Sequence, residues 1–280
     1  MINKFLVVGG CPRSGTTLLN ILINTHPDIF ISNELNIIKF NDKLNGLFYR
    51  EDSSKKLKER KKSKKETWKL SDLTSLIPNK SITLYSELFK FIYQDMSKSS
   101  SLSLIGDKFP KYYHDFPNYQ NLDFVKTKYY LHVSRNPINV LNSFIRRQKN
   151  TRDGVDYFNT RIMPEEILNE WICAWNFINK ESSIHHIKYE DIITNRKKVF
   201  FRLSNYLDIT DSFDTSSIND FDDEIILSRK EVSLLPPSLI EISRTWNDLD
   251  FSNIPNHLQK IETIKLSFKS LFNKVITRIL

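Results

Sequence analysis

The chain has 280 residues, a formal net charge of +8 and a sequence pI of about 9.2. Hydrophobic residues make up 40% and the mean hydropathy is −0.40, which is typical of a globular protein with a sizeable core. The sequence contains no apolar run of about 18 residues and only two cysteines, Cys11 and Cys173, which excludes a transmembrane helix and a disulfide framework. The positive charge favours anionic ligands without identifying them.

The first predicted elements are a strand, a glycine loop and a helix. Residues 5–8 are an apolar run typical of a buried parallel strand, and residues 9–15 form a loop with three glycines, a proline and a serine. From Thr16 the apolar residues recur at helical spacing until Asn24. This order offers backbone N–H groups and a helix N-terminus to a phosphate-like anion. Because Met1 leads almost directly into the strand, we expect no signal peptide and a cytoplasmic protein.

The loop differs from the Walker A loop of NTPases. Gly10 and Gly15 have the Walker separation, but Thr16 stands where the lysine belongs and Thr17 follows it. The cation lies inside the loop instead, at Arg13, and no clear second motif for Mg²⁺ follows. A fixed guanidinium at this place suits a terminal anionic group that is approached without a metal.

Two further strands are predicted to end in charged side chains. Residues 29–31 are a short apolar run that Glu34 follows, and residues 102–108 read as a strand that ends in Lys108. Because ligands of open α/β sheets sit at the carboxyl ends of the strands, both side chains are expected to point toward the site. His114 lies near Lys108 in the sequence and is an alternative to Glu34 as a group that could accept a proton.

The segment of residues 41–80 has a different character. Its central run, residues 55–65, is densely charged and contains one leucine. Such a run is usually a solvated helix or a mobile loop, and the alternative is an electrostatic collar for an acidic acceptor. Residues 82–96 then fit an amphipathic helix.

A second cluster of polar residues follows the predicted strand at residues 129–133. Asn136 and Pro137 have the composition of a helix N-cap and first helical position. Arg135 precedes this helix, and Ser143 and Arg147 share one of its faces because they are four residues apart. Two guanidinium groups and a hydroxyl in one small volume suit a phosphate monoester.

The remaining elements are less informative about function. Residues 161–180 predict a helix, residues 184–188 a strand that holds His185 and His186, and residues 208–223 a polar loop. His132 is expected to be a packed core residue rather than a catalyst. The apolar and basic tail, residues 264–280, is read as a docked helix.

These motifs together resemble the sulfotransferases that use 3′-phosphoadenosine 5′-phosphosulfate (PAPS). Residues 12–18, Pro-Arg-Ser-Gly-Thr-Thr-Leu, look like their 5′-phosphosulfate loop, and residues 106–112, Gly-Asp-Lys-Phe-Pro-Lys-Tyr, partly match a Lys-x-Pro segment. The arginine with a serine eight residues later and the Tyr-Glu-Asp at residues 189–191 are similar to other segments of the family. The resemblance covers about residues 5–207 and is closest to the tyrosylprotein and heparan-type enzymes. It implies one α/β domain over residues 1–280, with a parallel P-loop-type sheet, helices on both faces and a divergent part from residue 208.

The resemblance also implies roles for individual residues. Glu34 would be the general base, Lys108 would balance the leaving oxygen of 3′,5′-ADP (PAP), and Arg13 would hold the phosphosulfate. The implied nucleotide-binding residues are Pro12, Arg13, Ser14, Gly15, Thr16 and Thr17 in the loop, Arg135, Ser143 and Arg147 at the 3′-phosphate, Tyr189, and the late basic segment Ser228, Arg229 and Lys230. No metal is implied.

The sequence leaves two other functions and the acceptor open. A nucleotide or small-molecule kinase would use the same loop and sheet, and a polyanion-binding protein without enzymatic activity would use the lysine-rich run. Tyrosine, sugar, lipid and small alcohol acceptors all remain, and Glu34 with Lys108 favours the peptide and glycan branches. No nucleic-acid partner is expected, and the oligomeric state, including a homodimer, stays open.

Overall fold

The computed structural model describes residues 2–34, 102–122, 125–150, 164–216, 227–233 and 235–263. The predicted basic segment 41–80, the predicted helix at 82–96 and the predicted C-terminal helix lie outside these residues. Within them the strands are β1 (Ile2–Gly10), β2 (Ile29–Asn33), β3 (Leu104–Lys108), β4 (Val125–Ser134) and β5 (His185–Lys188).

The described α-helices alternate with the strands in the order expected of an α/β fold. They are α1 (Thr16–Ile23), α2 (Phe116–Gln120), α3 (Pro137–Asn150), α4 (Pro164–Lys180), α5 (Tyr189–Thr194), α6 (Arg196–Leu207), α7 (Arg229–Val232), α8 (Pro237–Thr245) and α9 (Asn256–Gln259), and a 3₁₀ turn covers Tyr112–Asp115. None of the helices in the described ranges is long and apolar enough to cross a membrane.

The five strands form one parallel sheet in the order β2-β3-β1-β4-β5. Strand β1 is central, so the chain goes to one side of it through β2 and β3 and then to the other through β4 and β5. Because all strands run the same way, their carboxyl ends meet at one edge, which we name the ligand edge: Gly10, Asn33, Lys108 and Ser134 end their strands there. This topology confirms the predicted parallel sheet.

Both faces of the sheet are covered by helices, as predicted. Leu6 and Val8 of β1 point to the face that α1 and α6 cover, whereas Phe5 and Val7 point to the opposite face. There they belong to a cluster of tyrosines and phenylalanines that the partly buried Phe177 of α4 contacts. Burying each such apolar side chain contributes about 1.5–3 kcal/mol, so the alternation along β1 fixes which face of the sheet each of its residues occupies.

The start of α3 is built as its sequence predicts. Asn136 Oδ1 accepts a hydrogen bond from the backbone N–H of Ile138 at 3.0 Å, and Pro137 is the first helical residue. The N-cap satisfies a backbone donor that the helix itself cannot pair. This cap fixes where α3 leaves the ligand edge and thereby places Ser143, two turns further on.

Candidate functional site

The loop between β1 and α1 is held by backbone hydrogen bonds, one within the loop and one to the segment that follows β3. Gly10 N–H donates to Pro110 O at 2.8 Å and Ser14 N–H donates to Cys11 O at 3.1 Å. Gly15, with φ of 92°, precedes the first helical residue and has no side chain that could cap the first-turn N–H groups of α1. A helix N-terminus of this kind presents N–H groups and the positive end of the helix dipole to an anion.

Two features require a glycine at position 15: the positive φ of its backbone and the close approach of the Tyr189 ring. A Cβ atom at this position would lie 2.2 Å from the ring of Tyr189, which no side chain permits. The guanidinium of Arg135 lies over the same ring, with its Cζ 4.1 Å from the ring centroid. Tyr189 is therefore enclosed between the loop and Arg135, and this contact explains why a tyrosine at the start of α5 belongs to the site.

The two predicted anion-binding groups are in direct contact. Arg13 Nη2 donates to Ser143 Oγ at 3.1 Å, and Arg135 Nη1 donates to the backbone oxygen of Arg13 at 3.1 Å. Arg135 and Ser143 are almost fully buried, whereas Arg147, one turn beyond Ser143, is exposed. The sequence places these residues about 120 positions from the loop, and only the β1–β4 pairing brings them together.

The second half of the site joins the ends of β2 and β3. Lys108 Nζ donates to Glu34 Oε1 at 2.7 Å and to Thr17 Oγ1 at 3.2 Å. Lys108 is 0% exposed, while the side chain of Glu34 keeps 32% of its surface. The backbone N–H of Glu34 also donates to Lys108 O at 2.6 Å. An ammonium group, a carboxylate and a hydroxyl therefore meet beside the N-terminus of α1.

Backbone strain coincides with two of the predicted site residues. Arg13 has φ of 72° and Glu34 has φ of 60°, both in the left-handed region that residues with a Cβ rarely occupy. Each such residue costs of the order of 1–3 kcal/mol and persists only where its surroundings hold it. Strained residues concentrate at functional sites, which agrees with the positions of Arg13 and Glu34 at the ligand edge.

His114 lies away from Glu34 and Lys108. Its Nε2 is 3.1 Å from Glu170 Oε2, and Glu170 also accepts hydrogen bonds from Lys111 and Tyr113. Burial raises the pKa of Glu170, but these three donors outweigh it and lower the pKa to about 2. Glu170 belongs to α4, so His114 is engaged on the sheet face opposite to α1.

The late basic segment begins next to Ser143. Leu227 N–H donates to Asn142 Oδ1 at 3.1 Å, which brings Ser228 close to the middle of α3. Arg229 is exposed and opens α7, and the side chain of Lys230 lies outside the described atoms. The predicted role of this segment at the nucleotide stays a prediction, and the contact shows only that it begins beside α3.

Several residues that hold Arg135 in place were not predicted. Trp171 Nε1 donates to Arg135 O at 2.8 Å. Glu190 accepts hydrogen bonds from Asn136 N–H at 3.1 Å and from Trp246 Nε1 at 2.7 Å, and its burial raises its pKa. In the predicted Tyr-Glu-Asp segment, Tyr189 therefore contacts Arg135 and Glu190 accepts a hydrogen bond from Asn136, the residue after Arg135. No spacing in the sequence connects Trp171 or Trp246 to Arg135.

Asp107 was also missed, although it directly precedes Lys108. Its carboxylate is fully buried and contacts Ser32 Oγ at 2.5 Å and the hydroxyl of Tyr112. An acidic residue within a predicted buried strand is a signal that could have identified it, because a buried carboxylate needs a specific reason.

A family model described as the sulfotransferase family matches residues 6–214. The chain belongs to the sulfotransferase family. The matched residues include the loop, Glu34, Lys108, Arg135 and Ser143, whereas α7, α8 and α9 lie beyond the match. A search of proteins with curated functions found no match.

Solved sulfotransferase structures are similar to this chain, and one of them, with a TM-score above 0.5, shares its fold. The sulfotransferase domain of the Synechococcus PCC 7002 olefin synthase is 20% identical, covers 98% of this chain and 94% of that chain, and has a TM-score of 0.53. The sulfotransferase domain from the curacin biosynthetic pathway is 17% identical over 100% of this chain and 96% of that chain, with a TM-score of 0.48. Mouse sulfotransferase SULT7A1, solved in complex with PAP, is 11% identical over 98% of this chain and 85% of that chain, with a TM-score of 0.40.

Proposed function

We propose that this sulfotransferase transfers a sulfuryl group from PAPS to a hydroxyl or amine acceptor, with Glu34 as the general base. The observation that carries the proposal is the set of contacts at the ligand edge. A carboxylate and an ammonium group meet at the N-terminus of α1, and a separate group of Arg13, Ser143 and Arg135 lies on the other side of the loop. The first group would serve the transfer step, and the cations of the second suit the anionic groups of the donor.

Donor binding follows from the charge and geometry of the loop. The first-turn N–H groups of α1 and the guanidinium of Arg13 would hold the 5′-phosphosulfate, together with the hydroxyls of Thr16 and Thr17. Arg135, Ser143 and the exposed Arg147 would hold the 3′-phosphate, which ATP lacks. The segment Ser228 to Lys230 would add cations there, since Leu227 already contacts Asn142.

The chemical step would use Glu34 and Lys108. The acceptor oxygen loses its proton to the Glu34 carboxylate and forms a bond to sulfur, while the bond from sulfur to the bridging phosphate oxygen breaks. The electron pair of the broken bond stays on PAP, where the ammonium of Lys108 balances it. For this to occur, the Lys108 side chain exchanges its contact with Glu34 for the leaving oxygen.

We further propose the class of acceptor and the organisation of the enzyme. The combination of Glu34 and Lys108 favours a hydroxyl of a peptide or glycan, and an anionic acceptor agrees with the net charge of +8. We propose that residues 1–280 form one cytoplasmic domain, and that no metal is needed because Arg13, Lys108 and Arg135 supply the positive charge.

Ligand-dependent unfolding tests the proposed donor. PAP at 100 times its Kd should stabilise the protein by about 2.7 kcal/mol, whereas ATP with Mg²⁺ should have little effect. A stronger effect of ATP with Mg²⁺ than of PAP would contradict the proposal and favour the kinase. Transfer of label from ³⁵S-PAPS to a panel of peptides, glycans and small alcohols then identifies the acceptor class.

A further inference from the structure

Next to the proposed catalytic pair lies a buried polar group that the proposed reaction does not use. Asp107 is 0% exposed, and its two carboxylate oxygens contact Ser32 Oγ, at 2.5 Å, and the hydroxyl of Tyr112. Ser32 also donates to Gly106 O at 3.0 Å. These side chains, which we name the Asp107 group (Asp107, Ser32 and Tyr112), lie on the sheet face opposite to Thr17 and α1.

The burial of Asp107 needs an explanation. A carboxylate without solvent is costly unless hydrogen bonds compensate it, and an apolar residue in the same place is often at least as stable. The neighbouring residues of this face, Val7 and Ile105, are apolar. Stability alone therefore gives no reason for an acidic residue, whereas its position beside Lys108 does.

The Asp107 group joins the strand ends that carry the reactive residues. Ser32 pairs with Asp107 in the β2–β3 register, and Asn33 pairs with Lys108 on the next and last position of the ladder. Glu34 follows immediately with φ of 60°, and its N–H donates to Lys108 O at 2.6 Å. Lys108 also pairs with Val8 of β1, whereas Glu34 comes directly after the last pair of the β2–β3 ladder, so additional fixing of the end of β2 would act mainly on Glu34. Strained residues need such additional support.

We infer that Asp107 is a positioning residue, which with Ser32 and Tyr112 keeps the carboxylate of Glu34 and the ammonium of Lys108 in reacting geometry. This inference rests on the proposed function for the roles of Glu34 and Lys108. The group would act by fixing the ends of β2 and β3 from the sheet face opposite to α1.

Two variants test this inference without changing the charge. Ser32→Ala removes the link between β2 and Asp107, and Tyr112→Phe removes one hydroxyl. Each should lower kcat by about 10–100-fold, because small misplacements of reacting groups have effects of this size. The KM for PAPS should stay within about threefold of the unaltered enzyme, because the loop and Arg135 are untouched. Equal losses in kcat and in PAPS affinity, or no loss in kcat, would overturn the inference.

Tyr130→Phe is the matched control. Tyr130 is a buried tyrosine on the same sheet face, and its hydroxyl makes no hydrogen bond within the described part of the chain. The kcat of the Tyr130→Phe variant should therefore equal that of the unaltered enzyme. A loss as large as that of Tyr112→Phe would show that any buried hydroxyl on this face matters, and would overturn the specific role of Asp107.

A structural measurement separates the inference from the proposed function. Crystal structures of Ser32→Ala and of the unaltered enzyme should be compared. The distance from Glu34 Oε1 to Lys108 Nζ should be longer in the variant than the 2.7 Å described here. An unchanged contact overturns the inference whether or not the enzyme transfers sulfuryl groups. Failure of PAP to stabilise the unaltered protein would instead contradict the proposed function and leave this structural result standing.

Discussion

Buried ionisable side chains occur in two regions of the sheet, the ligand edge and the interior of β4 and β5. At the ligand edge Lys108 is 0% exposed and keeps an ion pair with Glu34 at 2.7 Å. In the interior His132 pairs in register with His186, and their rings stack with centroids 6.3 Å apart. Lys108 and His132 are both fully buried, but the two regions differ in how the cost of that burial is met.

The interior histidines give up their charge. Burial lowers the pKa of His132 to about 3, and burial, followed by repulsion from His132 and Lys188, lowers that of His186 well below its ordinary value. Neither ring nitrogen of His132 has a hydrogen-bond partner among the described residues. Neutral imidazoles packed against Phe177 and Phe251 behave as aromatic core residues.

The contrast shows what a retained charge indicates. A buried ion pair is weak evidence for stability, because desolvation offsets much of its attraction. Burial lowers the pKa values of the interior histidines, whereas the ligand edge holds an ion pair next to a helix N-terminus. The proposed role of Lys108 would account for the ion pair at the ligand edge, and the following predictions test that difference.

The largest effect is expected for Glu34→Gln. Loss of a general base should lower kcat by about 10²–10⁴-fold, while the affinity for PAP stays unchanged because the loop and Arg135 are intact. Steady-state kinetics and calorimetric titration with PAP measure the two quantities. If the variant retains most of its activity, the base lies elsewhere.

Lys108→Met should separate chemistry from stability. Without the ammonium group kcat should fall by about 10²–10³-fold, since charge on the leaving oxygen is no longer balanced. The free energy of unfolding should change by less than about 2 kcal/mol, because Glu34 keeps 32% of its side-chain surface and stays hydrated. Denaturant titration beside kinetics checks this, and a strongly destabilised but active variant would reverse our reading of the ligand edge.

Arg135→Lys should weaken the binding of PAP by about 10–100-fold, because a lysine lacks the planar donor pair and the stacking on Tyr189. Tyr189→Phe is the matched control: it keeps the ring under Arg135 and should leave the affinity within about threefold. Calorimetric titrations of both variants are the measurement. Equal affinities for Arg135→Lys and the unaltered protein would remove Arg135 from the proposed 3′-phosphate site.

The smallest effect concerns the interior and appears only in acid. An unfolded histidine binds a proton below about pH 6.5, whereas folded His132 stays neutral down to about pH 3. The contribution of His132 to the free energy of unfolding is therefore fully present above pH 6.5 and is lost as the pH falls toward 3. At pH 5 this loss is about 2 kcal/mol. In His132→Phe this part of the loss should vanish in denaturant titrations at pH 7 and pH 5, whereas a change at the exposed His257 should preserve it.

Much of the fold could be predicted because its signals are local. The apolar run of β1, the glycine loop and the N-cap at Asn136 each specify their element within a few residues, and the structure confirms them. The parallel sheet with helices on both faces is confirmed as well. The predicted Arg161–Lys180 helix is described from Pro164 onward.

The predicted site residues remain proposals, but their placement can be compared with expectation. The sequence indicated two separate anion-binding groups, and the structure links them through Arg13 and Ser143. It indicated Glu34 and Lys108 independently, and the structure joins them in one ion pair. The bracing contacts of Trp171, Glu190 and Asp107 could not be predicted, because each joins residues that are distant along the chain or carries no motif.

The sequence by itself determined the family, the loop and the identity of the charged residues, because a motif is a local arrangement of residue types. Only the tertiary structure decided which charges meet: the β2–β3 and β1–β4 pairings carry Glu34 to Lys108 and Arg135 to the loop. It also decided which ionisable groups form an ion pair and which have their pKa lowered by burial. That choice depends on burial and on the distance to a partner, and neither can be read along the chain.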